Sequence, residues 1–246
     1  MTRTVVGVLR GGTSSEYDLS LKTGAAMLAA LPEGKYETRD IFIDKTGLWH
    51  LRGAPATPAR ALSQLDVALI GLHGTPGEDG TVQRILNRAG VTYAGSSAAA
   101  SALSLNKIRA REALARAGVL MPRAVVFSLP NAMNTGQMAH AALARFPGPY
   151  VIKPPAEGAS FGIHIAENLH ALPDALGDVL DRFGAALVEE FVRGAHVSVG
   201  VIEGFRGESL YALPPARILL PEGARAIEDS HHRDRSLRYL VPSDFS

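Results

Sequence analysis

Apolar runs and amphipathic stretches alternate through the first part of the chain. Thr4 to Leu9 reads as a short apolar strand, and apolar positions at helical spacing follow through Leu19, Ala26, Met27 and Ala30. Tyr36 to Asp44 reads as the next strand. A loose Pro/Ala-rich stretch from Arg52 to Arg60 leads to an apolar run, Val67 to Leu72, that fits a buried strand. Val82, Ile85 and Leu86 then begin a helix that ends at Ala89, and Val91 to Tyr93 forms a short strand. Strands alternating with helices in this way predict a parallel sheet in an α/β domain.

The pattern changes beyond Gly95. Gly95 to Leu103 predicts a helical link, with the Ala-rich patch Ala98 to Ala102 inside it. Asn106-Lys107 opens a helix over Ile108 to Ala117, stopped by Gly118, and Pro122 leads into a strand over Ala124 to Phe127. Tyr150 to Lys153 and Ile163 to Ala166 read as two antiparallel strands joined by a loop of small residues. Leu172 to Phe183 is amphipathic with a helical period, and Ala186 to Phe191 is a strand ending in Glu189-Glu190. A turn at Arg193-Gly194-Ala195 returns into His196 to Ile202, and Leu210 to Leu213 and Arg217 to Leu220 add further strands. Glu222 to Ser246 is polar and rich in Arg and His.

Composition narrows the function classes. The 246 residues are 46% hydrophobic and 20% charged, which suits a globular protein with a sizeable core. A net charge of +1 gives no field that points to nucleic acid or to a membrane surface. The chain has no Cys, which excludes disulfides, thiolate chemistry and Cys-based metal sites. No apolar run is long enough to span a bilayer, and no signal-peptide pattern precedes Thr4, so a cytoplasmic location is expected.

Three stretches carry candidate chemistry. After the strand ending at Leu72, His73 precedes a loop in which Gly74, Gly77 and Gly80 bracket Pro76, Glu78 and Asp79. In an open parallel sheet this loop lies where ligands bind. It can also be read as a turn capped by Asp79 or Thr81, with Glu78 near the positive helix end. Arg10-Gly11-Gly12-Thr13-Ser14-Ser15-Glu16 follows the first strand. Glu16 there could bind a substrate amine, or it could close a capping box with Thr13. Between Lys153 and Ile163 the loop Glu157-Gly158-Ala159-Ser160-Phe161-Gly162 can fold over a triphosphate, with Lys153 neutralising charge, or it can be an ordinary hairpin with a mobile tip. Lys107 is either a solvated helix lysine or a phosphate contact. Glu189-Glu190 either binds adenine and ribose or discourages pairing at a sheet edge. His231-His232 could suggest a metal, but adjacent histidines in a polar loop are usually solvated.

Taken in order, these stretches resemble the D-alanine–D-alanine ligase family of the ATP-grasp superfamily. The matching motifs are Gly-Gly-Thr-Ser-Ser-Glu, Leu-His-Gly-x-x-Gly-Glu-Asp-Gly, Ser-Ala-Leu-Ser-Leu-Asn-Lys, Val-Ile-Lys-Pro-x-x-Glu-Gly-x-Ser-x-Gly and Val-Glu-Glu-Phe-Val. The resemblance implies a mixed α/β and α+β chain. Residues 1–95 would form a Rossmann-like domain with a parallel sheet, 96–185 the central ATP-grasp subdomain, and 186–246 the start of an incomplete C-terminal ATP-grasp subdomain. It implies a ligase of peptidoglycan precursor synthesis that activates the carboxylate of one D-alanine as an acyl phosphate, which the amine of a second D-alanine attacks. ATP is the implied co-substrate, and a homodimer through the N-terminal domain is the implied assembly. Glu16 would hold the ammonium of the first D-alanine, with His73 beside its carboxylate. Lys107 and Lys153 would contact phosphates under the loop Glu157, Gly158, Ser160 and Gly162. Ser160 and Glu16 would act at the reacting centre. Glu189 would accept from the adenine amino group, and the backbone at Glu190 and Val192 would meet the ring edge.

The chain departs from the family pattern at several positions. Ala159 replaces the first of two serines, and His196 stands where a ribose-binding Glu is implied. His232-Arg233 aligns with the Lys-Tyr pair of a mobile active-site loop. Tyr239-Leu-Val-Pro-Ser aligns just past that loop, ahead of a segment that in the family supplies the magnesium ligands and a transition-state Arg. The expectation is a truncated form or fragment whose magnesium ligands are absent from this chain and which barely turns over. A ligase using D-lactate as second substrate and a non-catalytic nucleotide- or D-amino-acid-binding relative are the alternatives.

Overall fold

The computed structural model describes residues 3–219 and 238–244. The expectations on His231, His232 and Arg233 lie outside the described residues.

The first sheet is built on β1 (Thr4–Gly11), whose Val6, Val8 and Leu9 are buried. Helix α1 (Tyr17–Ala30) follows, then β2 (Tyr36–Ile43), β3 (Trp49–Leu51), β4 (Ala54–Ala56), α2 (Pro58–Leu62), β5 (Val67–Ile70), α3 (Thr81–Ala89) and β6 (Thr92–Ala94). The sheet order is β4-β3-β2-β1-β5-β6. β1 runs parallel to β2 and β5, and β5 parallel to β6. The loops after β1 and β5, which lie side by side in register from Val6↔Val67 to Leu9↔Ile70, therefore leave the same edge of the sheet. The stretch Arg52 to Arg60, which its Pro and Ala content marks as loose, instead forms the turn and second strand of the β3–β4 hairpin and the start of α2. There Trp49 is buried and the Thr57 side chain caps the helix. The core joins Leu9, Ile41, Ile43, Trp49, Leu62, Val82 and Leu86. Each fully buried aliphatic side chain contributes about 1.5–3 kcal/mol.

Helices α4 (Ala98–Leu105) and α5 (Lys107–Arg116) carry the chain to the second sheet. The side chain of Asn106 caps α5 by accepting from the Arg109 N–H. β7 (Ala124–Ser128), α6 (Thr135–Leu143), β8 (Tyr150–Lys153), β9 (His164–Ala166), α7 (Leu172–Phe183) and β10 (Ala185–Glu190) then form an antiparallel sheet in the order β7-β10-β8-β9. α6 and α7 pack on it through Met138, Phe146, Tyr150, Leu176, Val179 and Leu180. β10 sits between β7 and β8, although the expected third segment begins at Ala186, inside this strand.

The expected strand His196 to Ile202 is two strands. β11 (His196–Ser198) pairs with β14 (Ala216–Leu219), and β12 (Val201–Glu203) pairs with β13 (Leu210–Ala212). The break falls at Gly200, whose carbonyl accepts from the Leu213 N–H at 2.8 Å. β15 (Arg238–Leu240) pairs with β14. The architecture is the expected mixed α/β fold, except that the first sheet is parallel only across β2, β1, β5 and β6, with β3 and β4 antiparallel at its edge because a tight hairpin joins them; antiparallel layers follow.

Candidate active site

The loop after β5 is tied down on both sides. The His73 N–H donates to Ser20 Oγ at 2.8 Å, and the His73 carbonyl accepts from Ser14 Oγ at 2.7 Å. The imidazole Nε2 hydrogen-bonds Thr23 Oγ1 at 2.8 Å, and Nδ1 lies 3.8 Å from Glu78 Oε1. Ser20 and Thr23 are three residues apart on α1, so one face of that helix orients both the backbone and the ring of His73. Glu78 folds back over the loop, and its Oε2 accepts from the Gly74 N–H at 3.0 Å. Asp79, not Thr81, holds the start of α3, accepting from the Thr81 N–H at 2.8 Å and from its hydroxyl at 3.0 Å. Gly80 is the N-cap, with φ of 83°.

Glu16 stands at the N-cap of α1 and caps it with no side-chain hydrogen bond. The capping box with Thr13 is therefore not formed. Ser14 Oγ instead accepts from the Glu16 N–H at 3.2 Å, while the same hydroxyl donates to His73. One serine thus links the two residues expected to hold the first substrate. The carboxylate of Glu16 is turned toward two glycines. A Cβ on Gly74 would lie 3.5 Å from Glu16 Oε1, and a Cβ on Gly158 would lie 2.3 Å from it.

Gly158 belongs to the loop between β8 and β9, so this loop reaches across to the N-terminal sheet. It folds as two successive turns, with the Phe161 N–H on the Gly158 carbonyl and the Ile163 N–H on the Ser160 carbonyl. Ala159 and Ser160 take φ of 45° and 58°, in the left-handed region. Phe161 packs edge-on to Phe183 at 6.1 Å, and Arg182 covers both rings, so the hairpin tip is anchored. At Gly162 a Cβ would meet the Phe183 ring at 2.7 Å, and only glycine lets the loop close on α7 so tightly.

Three cations gather beneath the loop. The Lys107 N–H donates to the Pro155 carbonyl at 2.7 Å, and its ammonium donates to the Glu157 carbonyl. Lys153 Nζ lies 2.5 Å from Glu189 Oε2, and Arg111 Nη1 lies 3.1 Å from Glu189 Oε1. Glu189 is only 6% exposed, so its charge is held by these two partners and not by water. Burial, together with the neighbouring charge of Lys153, pushes the Lys107 ammonium below the ordinary lysine value.

Glu190 takes no part in this cluster. Its carboxylate accepts from the Arg123 N–H and from Arg123 Nε, both at 2.7 Å. That guanidinium holds Glu190 below the usual carboxylate range. Val192 is 64% exposed, just past β10. His196 is exposed at the start of β11, paired through its backbone register with Ile218. The structure therefore brings together Glu16, His73, Lys107, Lys153, Glu157, Gly158, Ser160, Gly162 and Glu189, and leaves Val192 and His196 on an open stretch. Ser14, Ser20, Thr23, Arg111 and Arg123 escape a reading of the sequence. Ser14 lies within a motif that stands out there, but nothing in it points to His73 as its partner.

A carboxylate facing a glycine-rich loop, with a surplus of cations below it, suits a small zwitterion next to a polyanion. Comparisons with known proteins give the family. Residues 52–96 match the family model "D-ala D-ala ligase N-terminus", and residues 113–245 match "D-ala D-ala ligase C-terminus". The chain is 33% identical over 238 residues to the D-alanine–D-alanine ligase of Syntrophotalea carbinolica, which covers 97% of this chain and 70% of the relative. It is 36% identical over 201 residues to that of Geobacter sulfurreducens, covering 81% of this chain and 58% of the relative. Among solved structures, the D-alanine–D-alanine ligase of Bacillus anthracis superposes with a TM-score of 0.72 at 28% identity, over 88% of this chain and 64% of that one. D-alanyl-alanine synthetase A of Vibrio cholerae shares the fold, with a TM-score of 0.82 at 21% identity over 100% of this chain and 76% of that one. Matched over both its N-terminal and C-terminal parts, the chain belongs to the D-alanine–D-alanine ligase family of ATP-dependent ligases.

Proposed function

We propose that this chain binds ATP and D-alanine as part of a D-alanine–D-alanine ligase. The observation that carries the reading is the meeting of Glu16 with Gly158, a carboxylate against a glycine-rich loop. In this reading Glu16 holds the ammonium of the first D-alanine, and His73, oriented by Thr23, lies beside its carboxylate. Lys107 and Lys153 hold phosphates under residues Glu157 to Gly162, and Ser160 faces their oxygens. Glu189 receives the adenine amino group, the backbone at Glu190 and Val192 meets the ring edge, and His196 lies toward the ribose.

The residues fit a nucleotide triphosphate. Gly158 and Gly162 let the loop close against Glu16 and Phe183, and beneath it Lys153 and Arg111 pair with the buried Glu189 while Lys107 lies near enough to feel the charge of both Lys153 and Glu189. Magnesium, which the family resemblance implies, finds no group of three His, Asp or Glu side chains placed to hold it among the described residues. The chain's own contribution is to position the substrate carboxylate against the terminal phosphate and to screen the charge that develops there. The product would be the D-alanyl dipeptide, formed by way of an acyl phosphate. A homodimer through the N-terminal domain and a role in peptidoglycan precursor synthesis belong to the same proposal, and no described helix is long and apolar enough to cross a membrane.

Calorimetric titration with ATP and then D-alanine tests it. Binding of both by the wild-type chain, with ATP binding lost in K153A and D-alanine binding lost in E16A, is the expected result. A wild-type chain that binds neither overturns the reading.

A further inference from the structure

Arg111 lies one turn after Lys107 on α5, so both project from one face of the helix. Its guanidinium is fixed at two points, with Nη1 on Glu189 Oε1 and Nη2 on the Pro122 carbonyl. Lys153 takes the other carboxylate oxygen. As the structure stands, Lys153 is therefore committed to Glu189. An ammonium is a compact charge on a flexible stem and can change partners, whereas a planar guanidinium pinned at two points cannot follow it. If Lys153 turns toward a phosphate, the buried Glu189 carboxylate needs another cation, because an unpaired buried charge is strongly disfavoured.

We propose that Arg111 is a positioning residue for the nucleotide: it holds and neutralises Glu189, so that Lys153 is released to a phosphate and Glu189 Oε2 is released to a hydrogen-bond donor on the base. This rests on the reading that the site takes ATP. Arg111 touches neither the base nor the phosphates and acts through Glu189 and Lys153. Its charge is constant across the working pH range, so the release of Lys153 costs no proton.

The test is a double-mutant cycle on ATP affinity, measured by calorimetry, with R111M, E189Q and R111M/E189Q. R111M is expected to weaken ATP binding about tenfold or more, because Lys153 stays locked on the uncompensated carboxylate. In the E189Q background, where no charge needs holding, the same change is expected to cost less than about threefold. R111Q, which also removes the charge, is expected to weaken ATP binding in the same way, and it carries the test if R111M does not fold. Equal ATP affinity in R111M and wild type overturns the proposal, as does an R111M effect that persists undiminished in E189Q. Wild-type ATP affinity in R111Q overturns it too. Failure of the wild-type chain to bind ATP overturns this proposal and the ligase reading together, whereas the other adverse outcomes leave that reading standing.

Discussion

The Glu16 carboxylate and the α-carbon of Gly158 face each other so closely that a methyl group on the glycine would stand 2.3 Å from Oε1. The contact joins α1 of the first sheet to the loop of the second, across the gap where both substrates are proposed to lie. The obstructed atom is the end of a flexible side chain, so the conflict is relieved by moving the carboxylate and not by unfolding. G158A is therefore expected to remain folded, with stability within about 1 kcal/mol of wild type, and to weaken D-alanine binding about tenfold or more. Thermal melts beside D-alanine titrations check both parts.

Gly11 presents the opposite case. Its φ is 92°, and a Cβ there would lie 2.1 Å from the Ile43 carbonyl oxygen, which is backbone inside the sheet. Nothing flexible can yield. G11A is expected to destabilise the chain by about 2–4 kcal/mol, measured by urea denaturation.

The clamp between Arg123 and Glu190 predicts a pH signature. Glu190 has a lower pKa folded than unfolded, so its contribution is present above the ordinary value of 4.5 and is lost as pH falls through the folded value. R123A is expected to melt below wild type at neutral pH, and the two melting curves should converge as the pH drops below 4.5. A difference that persists in acid would mean that Arg123 acts through packing over Phe146, 5.7 Å away, and not through its charge.

Lys107 predicts the reverse dependence for ligand. Its ammonium is easier to deprotonate than an ordinary lysine at 10.5, because of burial and then Lys153. A phosphate beside it restores the proton. ATP affinity should therefore fall as pH rises through the range below 10.5, and K107R, which stays charged, should flatten that slope. Titrations across alkaline pH decide it.

The strands and helices with strong periodicity are legible from the sequence, Tyr150 to Lys153 and Leu172 to Phe183 to the residue. Helix α6 is not among the expected elements, yet it carries a signal. Asn134 and Gln137 form a reciprocal capping box, with Met138, Ala142 and Phe146 following at helical spacing. The β3–β4 hairpin is hidden because each strand is only three residues long and β4 is Ala-Pro-Ala, so only the buried Trp49 marks it. At the site, the glycine-rich loops show themselves through composition. Arg111 and Arg123 do not, because their partners are 78 and 67 residues away and only the fold brings them together. The same distance explains Glu189. Its place at a strand end fits a ligand contact, but the sequence carries no sign of the two cations that occupy it.

The order β7-β10-β8-β9 constrains the making of this protein on the ribosome. The first sheet has all its strands once Ala94 has emerged and can fold while synthesis continues. The second cannot, because the strand that separates β7 from β8 is the last of the four to be synthesised. Until Glu190 leaves the exit tunnel, β7 and β8 each present an unfilled edge, and two edges that belong apart are free to meet. The nascent chain thus has a vulnerable interval between Ser128 and Glu190, visible as protease sensitivity in chains arrested before Ala185 and its disappearance in chains arrested well beyond Glu190.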